Sequence, residues 1–456
     1  MSLKEKYIAD QEFYRGTAKI AVPLALQTAL QSCMSMVDTL MVSWIGMVSA
    51  VGTAAQVDTL SGMIMYGCIG GISMFAAQFY GAGDYKNLKK CLGFSLCLVL
   101  ANGLFWFMAA TFFGRQILSF YINDPAIIEN GLQYLGISRF ALIVSAVSFA
   151  FSNMYRSTHQ PTVSLRIAVI SGLCNVLFNW LLIFGIGPFP QMGVRGAALG
   201  TVSAQLISVS LLLSHAIYTR QPFLGAFSEM FTLKKDFVKP IFARIVPLIV
   251  NESTFGVGQT LFIKAFGQLG TRQMDAYFAG NQIFNLMTFV IYGYGNAVQI
   301  LLGSSLGKGQ IEKARKECDY HIGLAAMISV MLVLALTVFA KPMVSLFRLA
   351  PDIEPLAVSV VYVFAVKASM RLYNFMIFCI LRSGGDAGII QFLDSGLEWL
   401  VGLPVTFFCV GVLHMQSLPL VLLAAQSEQL VRLVFGMRRV KTYRWAKDLT
   451  KLVQAA

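Results

Sequence analysis

Four of the acidic residues in apolar stretches of this sequence are candidates to bind a proton or a small cation. Asp38 is the only charged residue between positions 20 and 45, and Glu252 lies near the start of a later apolar stretch. Asp394 and Glu398 are four residues apart, so they would share one face of a helix. A carboxylate at hydrocarbon depth costs about 2.5–3.5 kcal/mol on insertion scales and marks a substrate or ion pathway. These residues predict a membrane transporter that exchanges protons or cations.

The composition predicts that membrane-spanning helices hold these carboxylates. Hydrophobic residues make up 57% of the 456-residue chain and charged residues only 12%, and the mean hydropathy is +0.68. A spanning helix needs about 20 mostly apolar residues. Stretches of that length are predicted at residues 20–45, 50–79, 91–113, 130–153, 163–187, 194–218, 241–269, 274–303, 319–340, 355–381, 389–413 and 416–436. The predicted fold class is therefore an all-α polytopic membrane protein with twelve transmembrane helices.

The basic residues predict the orientation of these helices. The formal net charge is +13, and about 25 of the 35 Lys and Arg residues fall in the N-terminal tail, the even-numbered loops with their span ends, or the C-terminal tail. Only about five fall in the odd-numbered loops. By the positive-inside rule, both termini are expected to be cytoplasmic in a multi-pass protein of the bacterial plasma membrane. Because topology explains the basic excess, we do not expect a nucleic-acid partner.

Motifs of other protein classes are missing from the sequence. It contains no HExxH motif and no nucleophile with an evident base, which argues against a membrane-embedded enzyme. It also lacks a Gly-x-x-x-x-Gly-Lys-Ser/Thr loop, which argues against an ATP-driven pump. The eight cysteines form no CxxC pair, so neither a disulfide framework nor a zinc site is expected. We expect no enzyme activity and no cofactor beyond a coupling ion.

The sequence repeats itself with a period of about 225 residues. Three motifs recur in order: a Pro-Leu pair followed by Gly, a Gly-x-Gly turn, and a short basic segment after the fourth span. They occur at Pro23-Leu24 with Gly46, 81–83 and 155–159, and again at Pro247-Leu248 with Gly270, 307–309 and 381–386. Because each repeat holds an even number of spans, the repeats have the same orientation. This pattern predicts two six-helix lobes with a substrate cavity between them.

The predicted domain boundaries follow from the repeat and the charges. Lys234, Lys235 and Lys239 place the segment between the lobes on the cytoplasmic side. The predicted domains are an N-terminal lobe (1–218), a cytoplasmic linker (219–240), a C-terminal lobe (241–437) and a basic cytoplasmic tail (438–456).

Longer motifs resemble those of the multidrug and toxic compound extrusion (MATE) transporters. They are Met192–Thr201 (MGVRGAALGT), Asn175–Asn179 (NVLFN), Pro247–Glu252 (PLIVNE) and Leu381–Asp386 (LRSGGD), in the family's order and spacing. The resemblance covers nearly the whole chain. It implies two six-helix lobes around a central cleft and a monomer that exports amphipathic, often cationic compounds. It further implies that inward flow of H⁺ or Na⁺ drives this export.

The resemblance also implies a coupling site in the N-terminal lobe. Asp38 matches the family's acidic residue in span one, Asn175 and Asn179 match positions in span five, and Thr201 matches a position in span six. Oxygen ligands of this kind suit a small cation, and the carboxylate can be protonated instead. Some family members have a second Asp where this chain has Asn179, which weakens the case for a Na⁺ site at Asp38, Asn175 and Asn179. A structural carboxylate is the alternative role for Asp38.

Pro23 removes a backbone hydrogen bond from span one, well before Asp38, and is expected to kink that helix. In the family this helix bends, and a link between bending and protonation has been proposed. A static kink is the alternative.

In the C-terminal lobe, we expect Glu252 and Asp394 to contact ion or substrate ahead of Glu398, with Lys367 and Arg371 available to neutralise them. Lys264 is a further candidate cation. Because these cations would also suit a pyrophosphate, a lipid-linked oligosaccharide flippase of the related superfamily is the alternative function. The lone acid Asp38 argues against it.

Overall fold

A computed structural model of the chain describes residues 7–45, 47–121, 125–347, 349 and 351–451. Within these ranges, twelve helices are long and apolar enough to cross a membrane, which confirms the predicted all-α class and the number of spans. Spans one to six are Gln11–Ser43, Val48–Ala54 continued by Gln56–Ala82, Tyr85–Tyr121, Pro125–Ser157, Pro161–Phe184 and Val194–Tyr218. Spans seven to ten are Lys235–Gly267, Thr271–Gly307, Ile311–Val338 and Glu354–Ser383.

The last two spans are interrupted helices. Span eleven consists of Ala387–Gln391, two π-helical turns at Phe392–Gly396 and Glu398–Gly402, and Leu403–Gly411. Span twelve consists of Leu418–Ala425 and Ser427–Lys441, and the short helices Phe227–Phe231 and Ala340–Ser345 lie outside the spans. π-Helical turns are rare in proteins, and those that occur are frequently found at functional sites. The two turns in span eleven contain Asp394 and Glu398, respectively.

Several helices are longer than the apolar stretches that predicted them. Span one begins at Gln11 rather than at residue 20, and span three begins at Tyr85 rather than at residue 91. Hydropathy marks only the part of a helix that suits hydrocarbon. The helical hydrogen bonds continue into charged segments at the helix ends, where water can solvate the side chains.

The described residues form two compact units. The first unit comprises residues 26–245, and the second comprises residues 246–451 together with residues 7–25. In the second unit, Ile20 and Leu24 of span one pack with Ala297 and Ile300 of span eight. The domain boundaries given above divide the chain by span count, which is a different criterion, and they stay a prediction.

The sequence repeat is also a repeat of backbone conformation. Gly83 and Gly309 end spans two and eight with φ of 73° and 72°. His159 and Gly385 follow spans four and ten with φ of 61° and 78°. Residues in this left-handed region close the C-terminal end of a helix, and glycine adopts the conformation at least cost. The repeated turn motifs are therefore helix stops at matching places in the two halves.

The C-terminal segment after span twelve packs against the protein. The Trp445 side chain is fully buried, and its indole N–H donates to the Val440 carbonyl at 3.1 Å. The Tyr443 hydroxyl donates to both carboxylate oxygens of Asp319, at 3.0 and 3.1 Å. Burial, together with the neighbouring Asp319 charge, raises the pKa of Tyr443. The raised pKa favours the protonated hydroxyl that this contact requires.

Candidate functional site

The first unit brings Asp38 of span one to the two asparagines of span five. The Asn179 amide nitrogen donates to Asp38 Oδ1 at 2.8 Å and lies 3.4 Å from Asn175 Oδ1. Asn175 and Asn179 are one helical turn apart and are 8% and 2% exposed. Three of the four residues that the resemblance assigned to this site therefore lie together.

Thr201 lies close to Asp38, Asn175 and Asn179 but donates its hydroxyl hydrogen bond elsewhere. Its hydroxyl donates to the Ala197 carbonyl of its own helix at 3.1 Å. The residue before it, Gly200, packs against the Asn179 amide, because a Cβ atom at Gly200 would overlap Asn179 Oδ1. Span six therefore positions Asn179 through a glycine.

Sequence reasoning did not single out Tyr134 of span four. This tyrosine is 7% exposed, lies within reach of the Thr201 hydroxyl and interacts electrostatically with Asp38 and Asp58. It belongs to the apolar core of the first unit, together with Val42. Nothing in its local sequence distinguishes it from a packing residue, because its role depends on three other helices.

The chemistry of the Asp38 group is that of a single half-buried carboxylate. No Lys, Arg or His in the described ranges forms a salt bridge with Asp38, and the neutral Asn179 amide donates to it. The described residues also contain no group of three or more His, Cys, Asp and Glu side chains that could hold a metal ion. Such a carboxylate can exchange one proton or one small cation.

Asp394 in the second unit has a different environment, because two arginines approach it. Its Oδ1 lies 3.0 Å from Arg432 Nη1 and 3.6 Å from Arg371 Nη1. Asn251 of span seven donates to Asp394 Oδ2 at 3.1 Å and accepts the Ser395 backbone N–H through its own side-chain oxygen. Arg432 also donates to the Asp394 carbonyl at 2.8 Å. Asp394 is thus part of a buried ion-pair network.

Span twelve extends this network. Arg432 is fully buried and lies 3.7 Å from Glu428, one helical turn earlier. The Gln429 amide donates to Glu428 at 2.8 Å, and Asn374 of span ten donates to Gln429 Oε1 at 2.8 Å. Arg432 therefore links two carboxylates in the interior of the second unit.

Glu252 is also paired with an arginine. Its Oε1 lies 3.1 Å from Arg382 Nη2, and the two side chains are 21% and 5% exposed. Arg382 lies in the last turn of span ten, within the repeated segment 381–386. Its position in a repeated turn motif gave no sign of a partner in span seven.

Glu398 is the acidic candidate of this unit without an arginine or lysine within salt-bridge distance among the described residues. Gln259 donates to its Oε1 at 2.5 Å, while its Oε2 is buried and accepts no hydrogen bond from the described part of the chain. Of the predicted neutralising cations, Lys264 is exposed and Lys367 lies over the rings of Phe284 and Phe364. The contacts thus separate Glu398, which has a neutral amide donor, from Glu252 and Asp394, which each have an arginine partner.

A cavity of about 340 Å³ lies within the second unit. Its charged lining residues are Lys367, Arg371 and Glu428, and its other walls combine aromatic rings with polar side chains and a few aliphatic ones. This volume lies in the range of small-molecule pockets, which usually combine apolar walls with a few polar groups.

Comparison with known proteins assigns the chain to a family. The match to the MatE family covers residues 23–181 and 247–415, about 70% of the chain, in two segments that begin at the repeated prolines. The chain belongs to this family. Members of the MATE family are transporters and not enzymes.

Individual relatives are distant but cover most of this MATE transporter. It is 23% identical over 414 residues to the "Uncharacterized transporter YisQ" of Bacillus subtilis, covering 88% of each protein. It is 23% identical over 429 residues to the "Probable multidrug resistance protein NorM" of Thermotoga maritima, covering 90% and 89%. A crystal structure of "MATE in the bent conformation" superposes with a TM-score of 0.85 at 16% identity, covering 95% of this chain and 96% of that one. The relatives support a multidrug exporter and do not favour the flippase.

Proposed function

We propose that this MATE transporter is a secondary multidrug exporter that moves amphipathic, often cationic compounds outward in exchange for H⁺, Na⁺ or both. The observation that carries this proposal is the half-buried Asp38 carboxylate, which accepts a hydrogen bond from the Asn179 amide at 2.8 Å in the first unit. Relatives named as multidrug resistance proteins support the export function. The ion exchange rests on the chemistry of the carboxylate.

One carboxylate can couple two fluxes if its ligands exclude each other. An ionised Asp38 in an apolar environment is costly unless a cation or a hydrogen-bond donor compensates its charge. A proton removes the charge, so a bound Na⁺ or cationic compound then loses its attraction. Export follows if H⁺ binds from outside and is released inside while the compound moves in the opposite direction.

The ligand set favours H⁺ over Na⁺ at Asp38. Na⁺ needs several oxygen ligands, and this site offers one carboxylate with the amides of Asn175 and Asn179. The Asn179 group that contacts the carboxylate is the NH₂ donor, which repels a cation. Na⁺ binding would require Asn179 to rotate its amide, whereas proton exchange requires no rearrangement. We propose that Thr201 positions the site and that Pro23 lets span one bend during transport.

We propose that the transporter works as a monomer in the bacterial plasma membrane with both termini in the cytoplasm, as the distribution of Lys and Arg indicates. Its partners are small molecules and the lipid bilayer, without nucleic acid and without a cofactor other than the coupling ion.

Asp38→Asn tests the coupling role. Asparagine keeps the size of the side chain and cannot release a proton, so we expect at least a tenfold loss of proton-driven export, in keeping with a coupling free energy of about 1–3 kcal/mol. Efflux of a cationic dye is measured in proteoliposomes with separately imposed H⁺ and Na⁺ gradients. The exposed acid of span eight supplies the control variant Asp275→Asn, which should transport like the wild type.

Wild-type efflux by Asp38→Asn, at equal protein in the membrane, would contradict the coupling role. Export that continues with a Na⁺ gradient alone would assign Na⁺ as the coupling ion. Loss of export in Asp275→Asn as well would show that the substitution of an acid, and not the position of Asp38, causes the defect.

A further inference from the structure

Two cations on span ten face the cavity of the second unit. Lys367 and Arg371 both line it and are four residues apart, so they lie on the same helix face. Like charges at this spacing destabilise a helix. In a low-dielectric interior the repulsion is larger than at a protein surface. A pair of this kind is most stable when an anion lies between the two side chains.

The described residues provide such an anion for only one of the two. Arg371 lies 3.6 Å from Asp394 and 5.3 Å from the ring centre of Phe255, and it also interacts with Tyr292. No carboxylate in the described ranges lies within salt-bridge distance of Lys367.

Lys367 is instead placed over aromatic rings. Its Nζ lies 4.8 Å from the ring centre of Phe284 and 5.1 Å from that of Phe364. Glu428 and Glu398 act on it only from a longer distance. A cation over an aromatic face is stabilised without being neutralised, so its charge stays available to a ligand.

Glu428, the acid on the cavity wall, does not neutralise the charge of Lys367. Glu428 is already engaged, because Gln429 donates to it at 2.8 Å and Arg432 lies 3.7 Å away. The charges that line the cavity are therefore two cations and one paired carboxylate. The other walls carry Phe255, Phe262, Phe266, Tyr277, Phe284 and Tyr292.

We propose that this cavity binds aromatic anions, with the carboxylate or sulfonate of the ligand between Lys367 and Arg371 and its ring system against the aromatic walls. The inference rests on the proposed export function and deepens it by adding an anionic class to the exported compounds. The volume of about 340 Å³ admits a fused two- or three-ring compound. A cationic compound of the same shape would meet two like charges.

A matched set of three fluorescent probes tests this assignment. The probes are 9-anthracenecarboxylate, its neutral carboxamide and 9-anthrylmethylammonium, and binding to the purified full-length protein in nanodiscs is measured with empty nanodiscs subtracted. We expect the wild type to bind the carboxylate at least about tenfold more tightly than the carboxamide, as expected for a charge-assisted hydrogen bond. The ammonium probe should bind most weakly.

Variants of Lys367 then test whether this lysine causes the preference for the carboxylate probe over the carboxamide. Lys367→Met keeps the length of the side chain and should bring carboxylate and carboxamide binding to within about threefold, whereas Lys367→Arg should keep the preference. Lys264→Met removes an exposed lysine from span seven and should bind like the wild type. Unchanged carboxamide binding by Lys367→Met shows that the cavity has kept its shape.

Equal binding of the three probes by the wild type, tightest binding of the ammonium probe, or a carboxylate preference that persists in Lys367→Met would each overturn the inference. Failure of the anion-binding inference can be distinguished from failure of the proposed export function. Efflux of a cationic dye without any carboxylate preference would remove only the anion site. Tight carboxylate binding by a protein that exports no compound would remove only the export function.

Discussion

Arg432→Met tests whether the buried network of the second unit stabilises the protein. The substitution removes a fully buried guanidinium that lies 3.0 Å from Asp394 and 3.7 Å from Glu428, whose side chains are 8% and 6% exposed. Removing one partner of a buried ion pair costs about 3–5 kcal/mol, because the other charge stays buried without compensation. Arg371 remains 3.6 Å from Asp394 after the change, so we expect a loss near the lower end of that range.

The assay is unfolding of the purified protein in one detergent, by heat and by denaturant. The control is Arg115→Met, which removes an arginine that lies 3.1 Å from Glu129 in a pair with side chains 64% and 60% exposed. Exposed pairs contribute about 0–1 kcal/mol, so this variant should unfold close to the wild type. The double variant Arg432→Met/Glu428→Gln should recover part of the loss, because Arg432 is the cation within salt-bridge distance of Glu428 among the described residues. Equal unfolding of Arg432→Met and Arg115→Met would refute the reasoning.

Two further substitutions test packing with internal controls. Gly200→Ala places a Cβ atom against the Asn179 amide. It should slow export, because a buried hydrogen bond worth about 1–3 kcal/mol is lost. In the control variant Gly62→Ala the Cβ atom meets open space, so this variant should transport normally in the same efflux assay. Trp445→Ala removes a fully buried side chain and should destabilise the protein by about 3–5 kcal/mol in thermal unfolding. Its control, Trp44→Ala, changes a side chain that is 67% exposed and should have little effect. Equal behaviour of the members of either pair would contradict these packing contacts.

The helices were predictable from the sequence because the signals that produce them are local. An apolar stretch of about 20 residues must form a helix in hydrocarbon, where every backbone polar group needs a partner within the segment. The turn glycines Gly83 and Gly309 were likewise visible as repeated motifs, and their left-handed conformations give the repeat a physical cause. The helix ends were less predictable, because charged residues extend a helix beyond its apolar part.

The partners of the buried acids were not predictable, since tertiary packing selects them. Glu252 and Arg382 are 130 positions apart in the sequence and 3.1 Å apart in the structure. One signal was available: an arginine within an apolar span, such as Arg432, needs a buried acceptor. That rule predicts that a partner exists without saying which of several acids it is.

The two halves of this transporter have diverged in chemistry while keeping their backbone repeat. Asp38 lies fifteen residues after Pro23, and the residue fifteen positions after Pro247 is Phe262. Phe262 is 7% exposed and lines the cavity of the second unit. The position that holds a carboxylate in the first half therefore holds an aromatic ring in the second.

This difference argues that the second half does not contain a copy of the Asp38 site. Glu252 and Asp394 each have an arginine partner, whereas the contact of Asp38 is the neutral Asn179 amide. The lysine and arginine of the cavity would likewise repel a small cation. If the two proposals hold, ion coupling at Asp38 and ligand recognition by the aromatic and cationic walls of the second unit are separate tasks. The range of exported compounds could then change without altering the coupling ion.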